Sequence, residues 1–277
     1  MKNFFIITNK NRDRDLSVTM RTRAFLEGNG CNVYMAEAGP SEDGHYTRKE
    51  EVPGDTECVI TIGGDGTLIA AAGDTADLEL PILGINHGTL GYLTDVEVDD
   101  IEGSLQKVLD GDYSVEERMM LCGKVMDPEG NIKKESRALN DIVIHSMNLK
   151  VSDYSLSVNS KYLGSFKADG MIVCTPTGST AYSMSAGGPI IEPFARMMVI
   201  TPICPHTLNT RSIVISAEDR VEMSVSDDNS TVVFDGHSPF DLKSGDIVNV
   251  RPSGCVTRII KTAHDSFLKV LQVKFSS

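Results

Sequence analysis

The 277-residue sequence predicts an α/β domain built on a parallel sheet, followed by an all-β domain. Three observations carry that expectation. Strand-like and helix-like segments alternate over residues 1–113, short runs with period-two alternation fill residues 114–254, and a glycine-rich turn joins a β-branched run to an Ala-rich helix former at 58–73. Alternating strands and helices imply parallel pairing through crossover helices. Period two implies strands with one buried face.

The first domain opens with "FFIIT" at 4–8, a short apolar run that ends at polar residues and has no small-residue cleavage site. It reads as a first strand rather than a leader. "LSVTMRTRAFLEGNG" at 16–30 follows as a helix with a glycine stop, then come the strands "CNVYMAE" at 31–37, "CVITI" at 58–62 and "LPILGIN" at 80–86. The stretch "VDDIEGSLQKVLDGDY" at 98–113 has an acidic first turn and a glycine near its end, and so reads as the last helix of the domain. In parallel α/β sheets ligands sit outside the carboxyl ends of the strands. Both "GGDG" at 63–66 and "NHGTLGYL" at 86–93 fall at such ends, which predicts one shared crevice.

Beyond residue 113 the texture changes to "DIVIHS" at 141–146, "YSLSVNSKYLG" at 154–164, "SIVISAEDRVEMSVS" at 212–226 and "STVVFDGHS" at 230–238. These runs are separated by Asn, Gly, Asp and Ser, as all-β segments are. Residues 255–277 form a tail in which "TAHDSFLKVLQVKFSS" predicts a short amphipathic helix whose docking site the sequence does not reveal.

The formal charge of −13 argues against nucleic acid or an anionic membrane as the main partner, because both reward a basic face. An acidic protein that binds a polyphosphate must gather Lys, Arg or a metal at the site. No stretch approaches the roughly 18 apolar residues that span a bilayer. The six cysteines lie at 31, 58, 122, 174, 204 and 255 with no CxxC or zinc-like spacing, the pattern of a reduced, cytoplasmic protein.

In "CVITIGGDGTLIAAAG", Gly63, Gly64 and Gly66 allow close backbone approach, and the new helix offers free amides to an anion. Asp65 is out of place there, because a carboxylate repels phosphate by about 1 kcal/mol at 4 Å in water and by more when desolvated. Either it merely caps a tight turn or it has a separate chemical task. The dinucleotide fingerprint fails, since Ile69 stands where its third glycine belongs, and no G-x-x-x-x-G-K-[ST] loop is present.

The stretch "FKADGMIVCTPTGSTAYSMSAGGPII" at 166–191 runs from a strand into a dense set of hydroxyls, Thr177, Ser179, Thr180, Tyr182, Ser183 and Ser185. Hydroxyls donate to ribose, phosphate and base edges without adding charge; the plain alternative is a solvated Ser-rich loop. "STAYSMSA" could open a helix aimed at a ligand. Asn140 and Asp141 in "ALNDIVIHS" offer an amide and a carboxylate, or else a strand cap. His145 and His206 are left unassigned, and His237 lies in a turn beside Asp235 and Gly236.

Taken together these residues resemble the NAD kinases, which transfer a phosphoryl group to the 2′-hydroxyl of the adenosine ribose of NAD. "GGDGT" at 63–67, "NHGTLGYLTD" at 86–95, "EER" at 116–118, "ND" at 140–141, "ADGMIVCTPTGSTAYSMSAGGPI" at 168–190 and "ITPICPHTL" at 200–208 fall in the family's order across most of the chain. "GGDGT" alone is shared with diacylglycerol-type lipid kinases and phosphofructokinase relatives. The resemblance implies a Rossmann-like parallel sheet in the first domain, a β-sandwich-like second domain, and NAD bound between them in a homodimer or homotetramer.

It also implies a role for each candidate residue. Asp65 would be the general base for the attacking hydroxyl, with Gly63, Gly64, Gly66 and Thr67 facing a nucleoside triphosphate and Mg²⁺ or Mn²⁺ screening the charge. Asn86 and Tyr92 would belong to the same nucleotide site. Asn140 and Asp141 would contact the dinucleotide, Asp141 standing where many members have Glu. Asp169 would read the nicotinamide end or its ribose, while Thr177 with Thr180, Ala181, Tyr182, Ser183, Met184 and Ser185 would line the adenosine and pyrophosphate. Lys167 would neutralise pyrophosphate, and His237 matches a polar, variable position. The donor the resemblance implies is ATP, another nucleoside triphosphate or polyphosphate. Two competing readings are a lipid kinase, which the acidic balance opposes, and a non-catalytic dinucleotide sensor, in which Asp65 would gain nothing.

Overall fold

The computed structural model describes residues 1–36, 41, 44–89, 91–94, 96–147, 150–206, 211–263 and 267–276. The chain divides into two compact units: Met1–Arg118 together with Val256–Ser277, and Met119–Cys255. The sequence texture changes at 113–114 and again at 254–255.

The first unit contains β1 (Asn3–Thr8), α1 (Ser17–Gly28), β2 (Asn32–Met35), β3 (Cys58–Gly63), α2 (Asp65–Asp74), β4 (Pro81–Asn86), β5 (Val96–Glu97) and α3 (Ile101–Asp110). β1 pairs in parallel with β2 and β3, β3 with β4, and β4 with β5. Phe4, Ile6, Ile60, Ile62, Leu83 and Ile85 form one face of this sheet and pack with Val18 and Leu26 of α1 and Leu105 and Val108 of α3. Gly84, of opposite parity on β4, faces Leu68 of α2. Helices therefore cover both faces, which is why these strands are continuously apolar rather than alternating.

α1 starts without a side-chain cap from its own flanking residue, Leu16. Asp13, 1% exposed, does that work instead. Its carboxylate accepts from the amides of Val18 and Thr19 and from the Thr19 hydroxyl, at 3.2, 2.8 and 2.6 Å. Orphan amides of a helix start are thereby satisfied inside the core.

β6 (Ser114–Met126) carries the chain out of the first unit. The second unit continues with β7 (Ile132–Ala138), β8 (Asp141–Ser146), β9 (Ser152–Val158), β10 (Lys161–Ala168), β11 (Gly170–Cys174), the four-residue helix α4 (Tyr182–Ser185), β12 (Met197–Ile203), β13 (Ile213–Ser216), β14 (Val221–Val225), β15 (Ser230–Phe234), β16 (His237–Leu242) and β17 (Ile247–Lys261). One antiparallel sheet runs β13-β12-β11-β8-β15-β16. Opposite it, β9 pairs with β10 and β14, and β14 with β17. Ile142, Ile144, Met171 and Val173 of the first sheet share a core with Tyr154, Leu156, Met223 and Val248 of the second, the packing of a β-sandwich. On the outer face of the first sheet, Val143, Ile172 and Val199 are covered by Ala186 and Ile191. The stretch after β11 is thus a lid on a sheet buried on both faces.

The helix expected over "STAYSMSA" shrinks to a 3-10 turn at Thr177–Thr180 and the single turn α4. The hydroxyls bond backward, Ser179 Oγ to Pro176 O at 2.6 Å and Thr180 Oγ1 to Thr177 O at 3.2 Å, which favours turns over a long helix.

β17 also answers where the tail goes. Its last residues add to the parallel sheet of the first unit, Arg258 opposite Pro81 and Ile259 opposite Ile82, and Ile260 enters that core. α5 (Phe267–Ser276) follows. Among the described residues no helix is long and apolar enough to cross a membrane.

A Cβ added at Gly84 would lie 2.7 Å from Thr94 Cγ2 and 2.9 Å from Leu68 Cδ1. Gly84→Ala is expected to destabilise the first unit by about 1–3 kcal/mol through overpacking, read by thermal or urea unfolding. Wild-type stability would show that the turn containing Thr94 yields without cost.

Candidate active site

The first unit presents its candidate residues where β3 and β4 end. Thr67 is buried under Gly63, where a Cβ would stand 2.3 Å from the Thr67 hydroxyl. That contact requires glycine. The Thr67 hydroxyl also accepts from Asn9 Nδ2 at 3.2 Å, so the residue after β1 closes the same edge. Asn86 pairs with Gly63 across the sheet, and its buried Oδ1 has no hydrogen-bond donor among the described residues. An acceptor left in that state costs stability unless something fills it.

Asp65 does not cap its own helix; Gly64 holds the N-cap position with no side-chain bond. Its carboxylate turns instead to the segment Gly91–Thr94. Oδ2 accepts from Tyr92 N at 2.6 Å, and Oδ1 accepts from Leu93 N, Thr94 N and Thr94 Oγ1 at 3.1, 3.1 and 3.0 Å. A Cβ at Gly91 would sit 2.0 Å from Oδ1, so the turn touches the carboxylate with no slack. A carboxylate oxygen has two lone pairs. Oδ1 is over-subscribed, and Oδ2 keeps one acceptor position.

In the second unit a cavity of about 370 Å³ is lined by Asn140, Asp141, His145, Tyr182 and Asp235, with Val143, Ala181, Val233 and Gly236 completing it. Asp235 and Gly236 form the two-residue turn between β15 and β16, both at positive φ (51° and 76°), as a type I′ hairpin requires. From that turn the Asp235 carboxylate accepts from the amides of Leu139, Asn140 and Asp141 at 2.6, 2.7 and 3.0 Å. Thr175 grips the same segment from the other side, its hydroxyl bonding Leu139 O at 2.6 Å and its amide Asn140 O at 2.8 Å. Gly178 packs so tightly on Asn140 that a Cβ would stand 2.1 Å from its carbonyl oxygen. The backbone of 139–141 is fully engaged, which leaves the side chains of Asn140 and Asp141 for the cavity.

Asp141 is 5% exposed, and its carboxylate has no hydrogen-bond donor among the described residues. Burial, and then the neighbouring Asp235 carboxylate, push its pKa up to about 7. Asp235 is pushed up to about 6 by burial, against the lowering effect of its three amide bonds. His145 bonds Ser146 O through Nδ1 at 2.7 Å, leaving Nε2 as its second polar atom. Tyr182, 41% exposed, offers a ring face at the cavity edge.

The remaining candidates stand apart from the cavity lining. Ser183 is fully buried and bonded to Thr201 Oγ1 at 3.0 Å, and Thr177 is buried in the 3-10 turn. Thr180, Met184 and Ser185 belong to the lid, with Ser185 exposed. Lys167 is exposed on β10, and half-buried Asp169 lies 3.9 Å from His206 Nε2. His237 begins β16, opposite Phe234. Two residues of evident weight were not among the sequence candidates, Asn9 and Asp235. Asn9 was signalled by its place at the end of a parallel strand, and Asp235 by the Asp-Gly hairpin pair.

Comparison with known proteins follows the same division. The ATP-NAD kinase N-terminal domain matches residues 4–113 and the ATP-NAD kinase C-terminal domain residues 139–262. NAD kinase of Lachnospira eligens is 40% identical over 294 residues, covering 99% of this chain and 100% of the relative. NAD kinase of Lachnoclostridium phytofermentans is 37% identical, covering 99% of each. Among solved structures, yeast NADH kinase complexed with NADH superposes with a TM-score of 0.89 at 22% identity, covering all of this chain and 89% of that one, a likeness of fold. An NAD kinase from Archaeoglobus fulgidus in complex with ATP gives 0.76 at 25% identity, covering 100% of this chain and 98% of that one.

The raised pKa values fix the sign of a pH effect. Asp141 and Asp235 favour their neutral forms in the folded state, so their contribution to stability is complete below about pH 4 and is lost as pH rises through 6 to 7. Asp141→Asn, which keeps the shape without the charge, is expected to gain up to about 4 kcal/mol over wild type at pH 8. The gain should shrink toward pH 5. A difference in melting temperature that ignores pH would contradict the buried-charge account.

Proposed function

The chain belongs to the NAD kinase family, and from that premise we propose that it moves the γ-phosphoryl group of ATP to the 2′-hydroxyl of the adenosine ribose of NAD. One observation carries the assignment of roles: Asp65 is held by three consecutive amides and a hydroxyl, with acceptor capacity remaining at Oδ2. A base in phosphoryl transfer must be fixed in place and must take one proton. Asp65 meets both needs.

In this reading the first unit handles the donor. The first amides of α2, at Asp65 and Gly66, have no intrahelical carbonyl to bond and attract anionic oxygens. Gly64 and Gly66, where an added Cβ would meet nothing within 4 Å, leave the backbone open to the approach of phosphates. ATP as donor is supported by the Archaeoglobus fulgidus relative, whose structure is a complex with ATP. As the 2′-oxygen attacks the γ-phosphorus, its proton passes to Asp65 Oδ2 and ADP leaves.

A divalent ion, Mg²⁺ or Mn²⁺, fits this scheme as a companion of the donor. Among the described residues no group of three or more His, Cys, Asp or Glu is placed to hold one. Mg²⁺ commonly keeps several waters and takes its remaining ligands from substrate phosphates. When bound it neutralises charge on the transferred group.

The second unit holds the dinucleotide. Asn140 and Asp141 present an amide and a carboxylate to ribose hydroxyls or the carboxamide, and Tyr182 offers an aromatic face to a planar ring.

The test is to incubate protein, NAD, ATP and Mg²⁺, with polyphosphate as the second donor arm, and to assay NADP with an NADP-specific dehydrogenase. Asp65→Asn is expected to lower kcat by about 10²–10⁴-fold while the NAD dissociation constant stays within about twofold. Equal losses in turnover and binding would overturn the base assignment. Tyr182→Ala is expected to weaken NAD binding by about 1 kcal/mol or more through lost ring contact; an unchanged dissociation constant would remove that residue from the binding surface.

A further inference from the structure

The chain's last strand returns to the turn that grips Asp65. Lys261, at the end of β17, donates from Nζ to Leu93 O at 2.8 Å. The Leu93 carbonyl and the Thr94 N–H are the two ends of one peptide group, and Thr94 N donates to Asp65 Oδ1 at 3.1 Å. An ammonium and a carboxylate are thus joined through a single peptide dipole. In a trans peptide the C=O and N–H point to opposite sides. A cation at the oxygen and an anion at the hydrogen both stabilise that dipole, and each strengthens the other's hydrogen bond.

A second tail lysine addresses the other end of the same turn. Lys274 of α5 stands 5.0 Å from the centroid of the Tyr92 ring, within cation–π range. The amide of that tyrosine is the one that donates to Asp65 Oδ2. The tail is itself fixed, since Lys107 of α3 donates to Thr262 O at 3.0 Å, one residue beyond Lys261.

We propose that Lys261 is a positioning residue for phosphoryl transfer: by fixing and polarising the peptide between Leu93 and Thr94, it commits Asp65 Oδ1 to the turn and leaves Oδ2 to take the proton. The proposal rests on Asp65 acting as the base. It gives the C-terminal segment a task in the reaction.

The experiment is a double-mutant cycle on the full chain, with kcat, KM for NAD and ATP, and melting temperature measured for wild type, Lys261→Met, Lys261→Arg, Asp65→Asn and Lys261→Met with Asp65→Asn. Lys261→Met is expected to lower kcat by about 10- to 100-fold with both KM values within about threefold. Lys261→Arg, which keeps charge and donor, should recover kcat to within about threefold of wild type. In the Asp65→Asn background Lys261→Met should change the residual rate by less than about twofold, because its effect acts through that carboxylate. Wild-type kcat in Lys261→Met, or an equal loss in the Asp65→Asn background, would overturn the proposal while leaving the base assignment intact. Wild-type kcat in Asp65→Asn would overturn the base assignment itself. Should Lys261→Met fail to fold, Lys261→Gln is judged by the same criteria.

Discussion

The contact between the Asp65 carboxylate and three consecutive amides of the Tyr92–Thr94 turn organises the first unit's functional end. It explains an acid in a glycine-rich turn, since those donors occupy most of the carboxylate's capacity and compensate its charge. It also dictates small residues around it. Gly91 leaves room for Oδ1, Gly84 leaves room for Thr94, and Gly63 leaves room for the Thr67 hydroxyl. Each glycine serves close approach.

The second unit uses the same device. Asp235, in a hairpin turn, accepts from the amides of Leu139, Asn140 and Asp141 and so fixes the two side chains that line the cavity. Asp13 binds the first amides of α1, and Asp74 accepts from the amides of Tyr46 and Thr47. A chain with 39 acidic and 26 basic side chains thus turns several carboxylates to backbone donors.

Asp141 differs from these. It is buried beside another carboxylate and finds no donor among the described residues, so the unliganded protein bears a cost there above neutral pH. A buried acceptor kept at a cost is a common mark of a binding site.

The sequence by itself determined the classes of the two domains and most of their strands and helices, though not the single turn at Tyr182–Ser185 or the strand that runs on to Lys261, because β-branched runs, period-two alternation and glycine stops act over a few residues. It also placed Asp65, Asn140 and Asp141 at strand ends and matched them, by motif, to a family. Their partners were decided by tertiary structure alone. Asp65 meets amides 27 to 29 residues away, and Asp235 meets amides 94 to 96 residues away. Lys261 reaches a carbonyl 168 residues earlier. Such contacts leave no local periodicity; they exist because sheet pairing brings distant turns together, and only the assembled sheets fix which carboxylate finds which amide.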